Sequence, residues 1–202
     1  MTSDADTVAR LRRGDEATFR EVVRRHQRAL AHVARYYCGS PSVADEVVQE
    51  TWLAVLVGLN RFEGRSSLRT WIFRILANRA RTRAVREGRT VPLSSLEGED
   101  GAAVDPTRFT PNGHWSEPPR PWESDTPEAI VARSEAVAGL WTAIDALPPR
   151  QRAVVTLRDV EGVDAEEVCA LLDVTEANQR VLLHRARSAL RTALEAHVGK
   201  RS

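Results

Sequence analysis

Between residues 61 and 83 the chain places Arg61, Arg65, Arg69, Arg74, Arg79, Arg81 and Arg83 among Phe62, Trp71 and Phe73. Guanidinium groups pair with phosphate oxygens, and aromatic rings stack on bases or wedge between them, so the mixture suits a single-stranded polyanion. The polar turn that opens the stretch, Asn60, Arg61, Phe62 and then Arg65, Ser66 and Ser67, could enclose an extruded base and read its edge. The same stretch holds Ile72, Ile75 and Leu76, spaced three and four residues apart as a buried helix face requires. One helix with a dry side and a charged side accounts for both sets.

Two further constellations stand out. Asp45, Glu46, Gln49 and Glu50 lie at helical spacing and would form one acceptor-rich face. That face either grips a basic partner or is simply solvated, with acids placed favourably near a helix start. Near the C-terminus, Asn178, Gln179, Arg180, His184, Arg185 and Arg187 accompany an apolar stripe of Val181, Leu182, Ala186, Leu190 and Leu194. Asparagine and glutamine can pair with adenine, and arginine with guanine, in a major groove. The bland counterpart is a helical hairpin with a basic outer face.

Nothing resembles a catalytic centre. There is no glycine-rich phosphate loop, no HExxH and no GxSxG. The histidines (26, 32, 114, 184 and 197) are scattered, and Cys38 and Cys169 lie far apart with neither in a CxxC pair. The expectation is a protein without catalytic residues, metal, cofactor or disulfide, working in a reducing cytoplasm and not inserted in a membrane.

Helices must position these residues, because periodicity is helical wherever it is clear. Phe19, Val22, Val23, Leu30, Val33, Ala34 and Tyr37 form one stripe, ended by Gly39. Ser40 and Pro41 start a second helix, with Ala44, Val47, Val48, Thr51, Val55, Leu56 and Leu59 on one side. The basic aromatic helix follows and runs to about residue 87. Residues 90–126 carry most of the prolines, several glycines and an acidic excess, the composition of a flexible linker. A coil of ~37 residues spans ~30–35 Å root-mean-square. Phe109, Trp115 and Trp122 within it suggest docking on some surface.

Order resumes at Thr126-Pro127-Glu128, a cap with a first-turn proline, and continues to about Ala146. Pro148-Pro149 opens the next helix, with Val154, Val155 and Leu157 inward. Asp164 and Glu167 make a capping-box start, Asp173-Val174 a tight turn, and Thr175 a second cap. Two helices joined by so short a turn read as a helix-turn-helix. The predicted fold is all-α: two small helical domains, a bundle over 1–89 and a helix-turn-helix domain over 127–202, joined by the linker 90–126. Net charge is only +1, so these local clusters, and not the total, point to nucleic acid.

Together the blocks resemble a known family. "ADEVVQETWLAVLVGLNRFEGRSSLRTWIFRILANRART" resembles region 2, and "LPPRQRAVVTLRDVEGVDAEEVCALLDVTEANQRVLLHRAR" region 4, of the extracytoplasmic-function (ECF) sigma factors of bacterial RNA polymerase. The resemblance implies that Asp45, Glu46, Gln49 and Glu50 bind the coiled coil of the polymerase β′ subunit. It implies that the turn Asn60–Ser67 captures a flipped base of the promoter −10 element, with Trp71, Arg74, Asn78 and Arg79 along the opened strand. It places Arg180, Val181, His184 and Arg185 on the −35 major groove, with Thr175 and Asn178 at the same helix start. The implied partners are core polymerase (β′ and β subunits), promoter DNA and an anti-sigma protein. Where the family usually shows "TVKSRL" this chain has "NQRVLL", so Gln179 and Leu182 stand in place of an apolar and a basic residue. The competing reading is a self-standing duplex-DNA regulator using residues 150–195, with the N-terminal half as a dimerisation or sensing domain. Such a protein has no use for a base-capture turn beside a basic aromatic helix.

Overall fold

The computed structural model describes residues 3–88 and 127–199, with side chains placed for 3–88 and 137–194. The expectations for the linker, including its aromatics, and for the Thr126 cap lie outside the described residues. The described residues are helical, without a strand. In chain order they form α1 (Asp4–Arg12), α2 (Glu16–Tyr37), α3 (Pro41–Gly58), a 3-10 turn (Leu59–Arg61) and α4 (Leu68–Arg86). Then come α5 (Pro127–Ala146), α6 (Pro149–Val155), a π-helical turn (Thr156–Val160), α7 (Ala165–Leu172) and α8 (Glu176–Gly199).

Side-chain caps set most of the starts. The oxygens of Ser3, Asp15, Ser67 and Asp164 each accept a backbone N–H three residues on, satisfying donors that a helix leaves orphaned. Ser40 occupies the expected cap position of α3, but its hydroxyl lies 2.8 Å from that of Ser42 and makes no capping bond. Asp173 closes α7 in the left-handed region (φ 55°), and the Val174 N–H returns to the Cys169 carbonyl at 3.1 Å.

The first bundle packs α2, α3 and α4 on one another. Leu30, Val33, Ala44, Val48, Ile72, Phe73 and Leu76 are its dry centre. Leu56, expected in the core, is about half exposed, and Trp52 takes the inward position. Trp52 packs edge-on to Phe19, with ring centroids 5.9 Å apart, and its indole N–H donates to the Gln27 carbonyl oxygen at 2.6 Å. The larger aromatic fills more of the gap and can still satisfy its polar edge.

The second group, α5 to α8, packs around Ile144, Val154, Leu157, Leu172 and Ala186. It does not stand apart from the first. α2 is a wall shared by both: α3 and α4 pack against it, and so do α6 and the π turn, while α4 also meets α7. The two helical regions predicted from sequence are therefore apposed in one body.

Candidate nucleic-acid and polymerase interface

α4 realises the two-sided helix. Ile72, Phe73 and Leu76 are fully buried, whereas Arg74 and Asn78 are exposed and Trp71 and Arg79 lie at the boundary. Ile75 is only partly buried against the core. Trp71 rests on Phe62, with ring centroids 5.0 Å apart. Its other edge comes so close to Gly58 that a methyl there would meet the indole at 3.2 Å. Phe62 is itself buried. Its ring thus forms the floor of the turn.

The rest of the turn faces out. Asn60, Arg61 and Arg65 are exposed, and Ser66 and Ser67 are half-buried. Arg65 pairs with Glu63 at 2.6 Å. Two residues that sequence reasoning missed fix this turn, and both belong to α1. Arg12 donates to the Leu59 carbonyl at 3.3 Å and to the Phe62 carbonyl at 2.5 Å. The Asp4 carboxylate accepts the Leu68 N–H at 2.8 Å, holding the first turn of α4. An acid there also complements the helix dipole. No periodicity could have linked residues so far apart in sequence.

Further along α4, Asn78, Arg79, Thr82, Arg83 and Arg86 line a shallow cleft with Glu50 of α3. Arg79 pairs with Glu50 at 3.2 Å, and Arg83 pairs with Glu46 at 2.8 Å and with Glu87 at 2.7 Å. The acidic face of α3 is therefore in part already engaged: Glu46 and Glu50 touch arginines, while Asp45 and Gln49 are exposed. Below it, Leu53, Leu56 and Val57 extend the exposed surface as an apolar strip, with Val57 83% exposed.

In the helix-turn-helix, the Thr175 hydroxyl accepts the Asn178 N–H at 3.2 Å and starts α8. Arg180 and Val181 are exposed, Asn178, His184 and Arg185 half-buried, and Arg180 pairs with Glu176. Val181 therefore leaves the apolar stripe to which its spacing assigned it and joins the outer face. Gln179 moves the other way. It is 2% exposed and sits in the domain interior beside Leu182 and Leu183, so it cannot read adenine. These two departures from the usual motif are explained by packing: Gln179 and Leu182 both point inward.

The capping box of α7 forms only by half. Asp164 accepts the Glu167 N–H at 2.8 Å, but the Glu167 carboxylate turns away to α4. There it accepts the Thr70 hydroxyl at 2.9 Å and the Arg74 guanidinium at 3.2 Å.

The chain matches "Sigma-70 region 2" over residues 22–90 and "Sigma-70, region 4" over residues 138–190. It is 30% identical over 188 residues to the ECF RNA polymerase sigma-E factor of Escherichia coli K12, covering 93% of this chain and 92% of that one. It is 28% identical over 192 residues to the RNA polymerase sigma-H factor of Pseudomonas aeruginosa, covering 95% and 94%. Among solved structures, CnrH in complex with the cytosolic domain of CnrY aligns with TM-score 0.47 at 24% identity, over 96% of this chain and 99% of that one. With both sigma-70 regions present in order and a relative at that identity over nearly its whole length, the chain belongs to the ECF family of RNA polymerase sigma factors.

Proposed function

We propose that this protein binds RNA polymerase core in the cytoplasm, directs it to specific promoters and helps open the −10 element. It contributes recognition and strand separation and forms no covalent bond. Asp45, Glu46, Gln49 and Glu50 on α3 hold the basic β′ surface, with Leu53, Leu56 and Val57 as apolar contact. The turn from Asn60 to Ser67, held by Arg12 and Asp4, receives a flipped base on the Phe62–Trp71 floor. Arg74, Asn78 and Arg79 guide the displaced strand by phosphate contacts, which carry affinity without sequence information. Thr175, Asn178, Arg180, Val181, His184 and Arg185 face the −35 groove. An anti-sigma protein is the proposed regulator.

One observation carries the strand-guiding part. α4 buries Ile72, Phe73 and Leu76 completely while its opposite side runs Arg74, Asn78, Arg79 into an arginine-lined cleft beside a clamped polar turn. Mixing the purified chain with core polymerase and genomic DNA, then mapping transcript starts, tests the whole reading. Absence of any core binding sinks it. Asp45→Arg with Glu50→Arg should lower core affinity at least tenfold while circular dichroism stays unchanged. A loss of helical signal would mean that the acids serve the fold.

A further inference from the structure

Two ion pairs join the acidic face of α3 to the arginine face of α4. Glu46 and Glu50 stand one turn apart on α3, and Arg79 and Arg83 one turn apart on α4, so the two helices meet as a ladder of two rungs. Glu50 takes Arg79 at 3.2 Å, and Glu46 takes Arg83 at 2.8 Å. Arg83 also holds Glu87 at 2.7 Å. All four rung residues keep between 33% and 56% of their side chains exposed. Pairs so open to solvent hold weakly and part readily. Asp45 and Gln49 share the face of α3, but their side chains make no hydrogen bond or ion pair among the described residues.

The cleft beside the ladder has most of what a phosphate needs. Arg79, Arg83 and Arg86 bring three guanidiniums to it, and Asn78 adds an amide. The Thr82 hydroxyl is spent on the Asn78 carbonyl at 2.8 Å. Glu50 stands in the same lining and opposes an anion twice, by holding Arg79 and by its own charge. Ala77, Ala80 and Ala84, on the inner side of this stretch, are buried. Packing therefore holds α4 itself, and only side chains need to turn for a pair to part.

We infer that Glu46 and Glu50 are exchangeable counterions: in the free chain they occupy Arg83 and Arg79, and when a basic protein surface takes them, Arg79, Arg83 and Arg86 become a phosphate seat for the promoter strand. The inference rests on the roles proposed for the acids of α3 and for Arg79, and it adds Arg83 and Arg86 to the strand path. Polymerase and strand, opposite in charge, draw on the two halves of the same pairs. Each therefore favours the other, and by the same factor in either order of binding. Two exposed rungs make that factor about three- to tenfold. Asp45 and Gln49 give up no partner when they bind, so they add affinity for polymerase without adding to the coupling.

The test uses the full chain at about 50 mM salt, where exposed charges are least screened. Fluorescence anisotropy with a short labelled oligothymidylate reports the strand. Glu50→Gln should strengthen its binding about threefold. Asp45→Asn removes the same charge from the same face without releasing an arginine, and should gain less than half as much. In an Arg79→Gln background the gain from Glu50→Gln should disappear, the non-additivity expected of a pair in contact. The reciprocal arm titrates core polymerase without DNA. There Arg79→Gln with Arg83→Gln should bind core about three- to tenfold more tightly than wild type, because both acids are already free. Unchanged circular dichroism shows that each variant keeps its helices.

Equal gains from Asp45→Asn and Glu50→Gln overturn the inference, as does a Glu50→Gln gain that persists beside Arg79→Gln. Core affinity that is unchanged or weaker in the double arginine variant overturns it too. In each of these cases the wild type still binds both core and strand, so the roles beneath the inference stand. A wild type that binds no core, or no oligonucleotide even with core present, removes those roles and the coupling with them.

Discussion

Arg12 shows how a single side chain outside the matched motifs can set the geometry of a site. Its guanidinium spans two carbonyls of the turn that follows α3, and a turn meant to receive a base must be held before the base arrives. Arg12→Ala should weaken single-strand binding several-fold and leave core affinity alone. The stability loss should be about 1 kcal/mol, since a charged hydrogen bond is worth more than that when buried but this residue is largely exposed. Equal losses in strand and core affinity would show that the substitution had loosened the whole bundle. At this scale the sequence was a good guide to residue type and a poor one to direction. Arg74 and Asn78 point outward as their spacing suggests, and Val181 is exposed, whereas Gln179 is buried, opposite to the outward place its type suggested. A single residue at a helix edge falls on either side of the boundary according to how its neighbours pack, and spacing does not resolve that.

The element scale is where α4 is read most directly. Phe73 and Arg74 are adjacent in sequence and have opposite jobs, one fully buried and one exposed. Phe73→Ala should cost about 3–5 kcal/mol in urea unfolding through lost burial and an unfilled cavity. Arg74→Ala should leave the unfolding midpoint nearly unchanged and weaken single-strand binding. If Arg74→Ala proved as destabilising as Phe73→Ala, the division of the helix into a dry side and a nucleic-acid side would be wrong. The boundaries of α4, α5, α6 and α7 agree with the caps, prolines and apolar spacing of the sequence, because these are local effects. The ion pairs between α3 and α4 are different. Glu46 with Arg83 and Glu50 with Arg79 connect the surface proposed for polymerase to the one proposed for DNA, and no local pattern reveals them.

For the whole molecule, the apposition of the two regions puts His32 where protons matter. Burial holds its pKa below the ordinary 6.5, aided by the charges of Arg152 and Arg28 and opposed by Asp145. Asp145 stays ionised: burial raises its pKa, but hydrogen bonds from Arg28 and His32, with the Arg28 charge, bring it below the usual 3.8. The partners fit a neutral ring, with Nε2–H donating to Asp145 and the Thr156 hydroxyl donating to Nδ1. The sign follows directly. Well above pH 6.5 neither the unfolded nor the folded chain protonates this ring, and stability is full. As pH falls below 6.5 the unfolded chain takes the proton first, so stability declines until His32 protonates in place. Melting temperature should therefore be lower at pH 5.5 than at 7.5, and His32→Gln should flatten that difference. An unchanged slope in His32→Gln would place the titrating group elsewhere.

The sequence by itself determined the longer helices from α2 onward, the Asp164 and Thr175 starts, the two sigma-like regions and the residue types proposed for each contact, because periodicity, capping and composition act over a few residues. Only the tertiary structure decided that α7 lies on α2 and α4, that α1 clamps the turn, and which edge residues face inward. Those contacts join residues far apart in the chain, such as His26 with Glu161 and Arg12 with Phe62. Their free energy exists only once both surfaces are built and brought together, so no local segment carries a record of it.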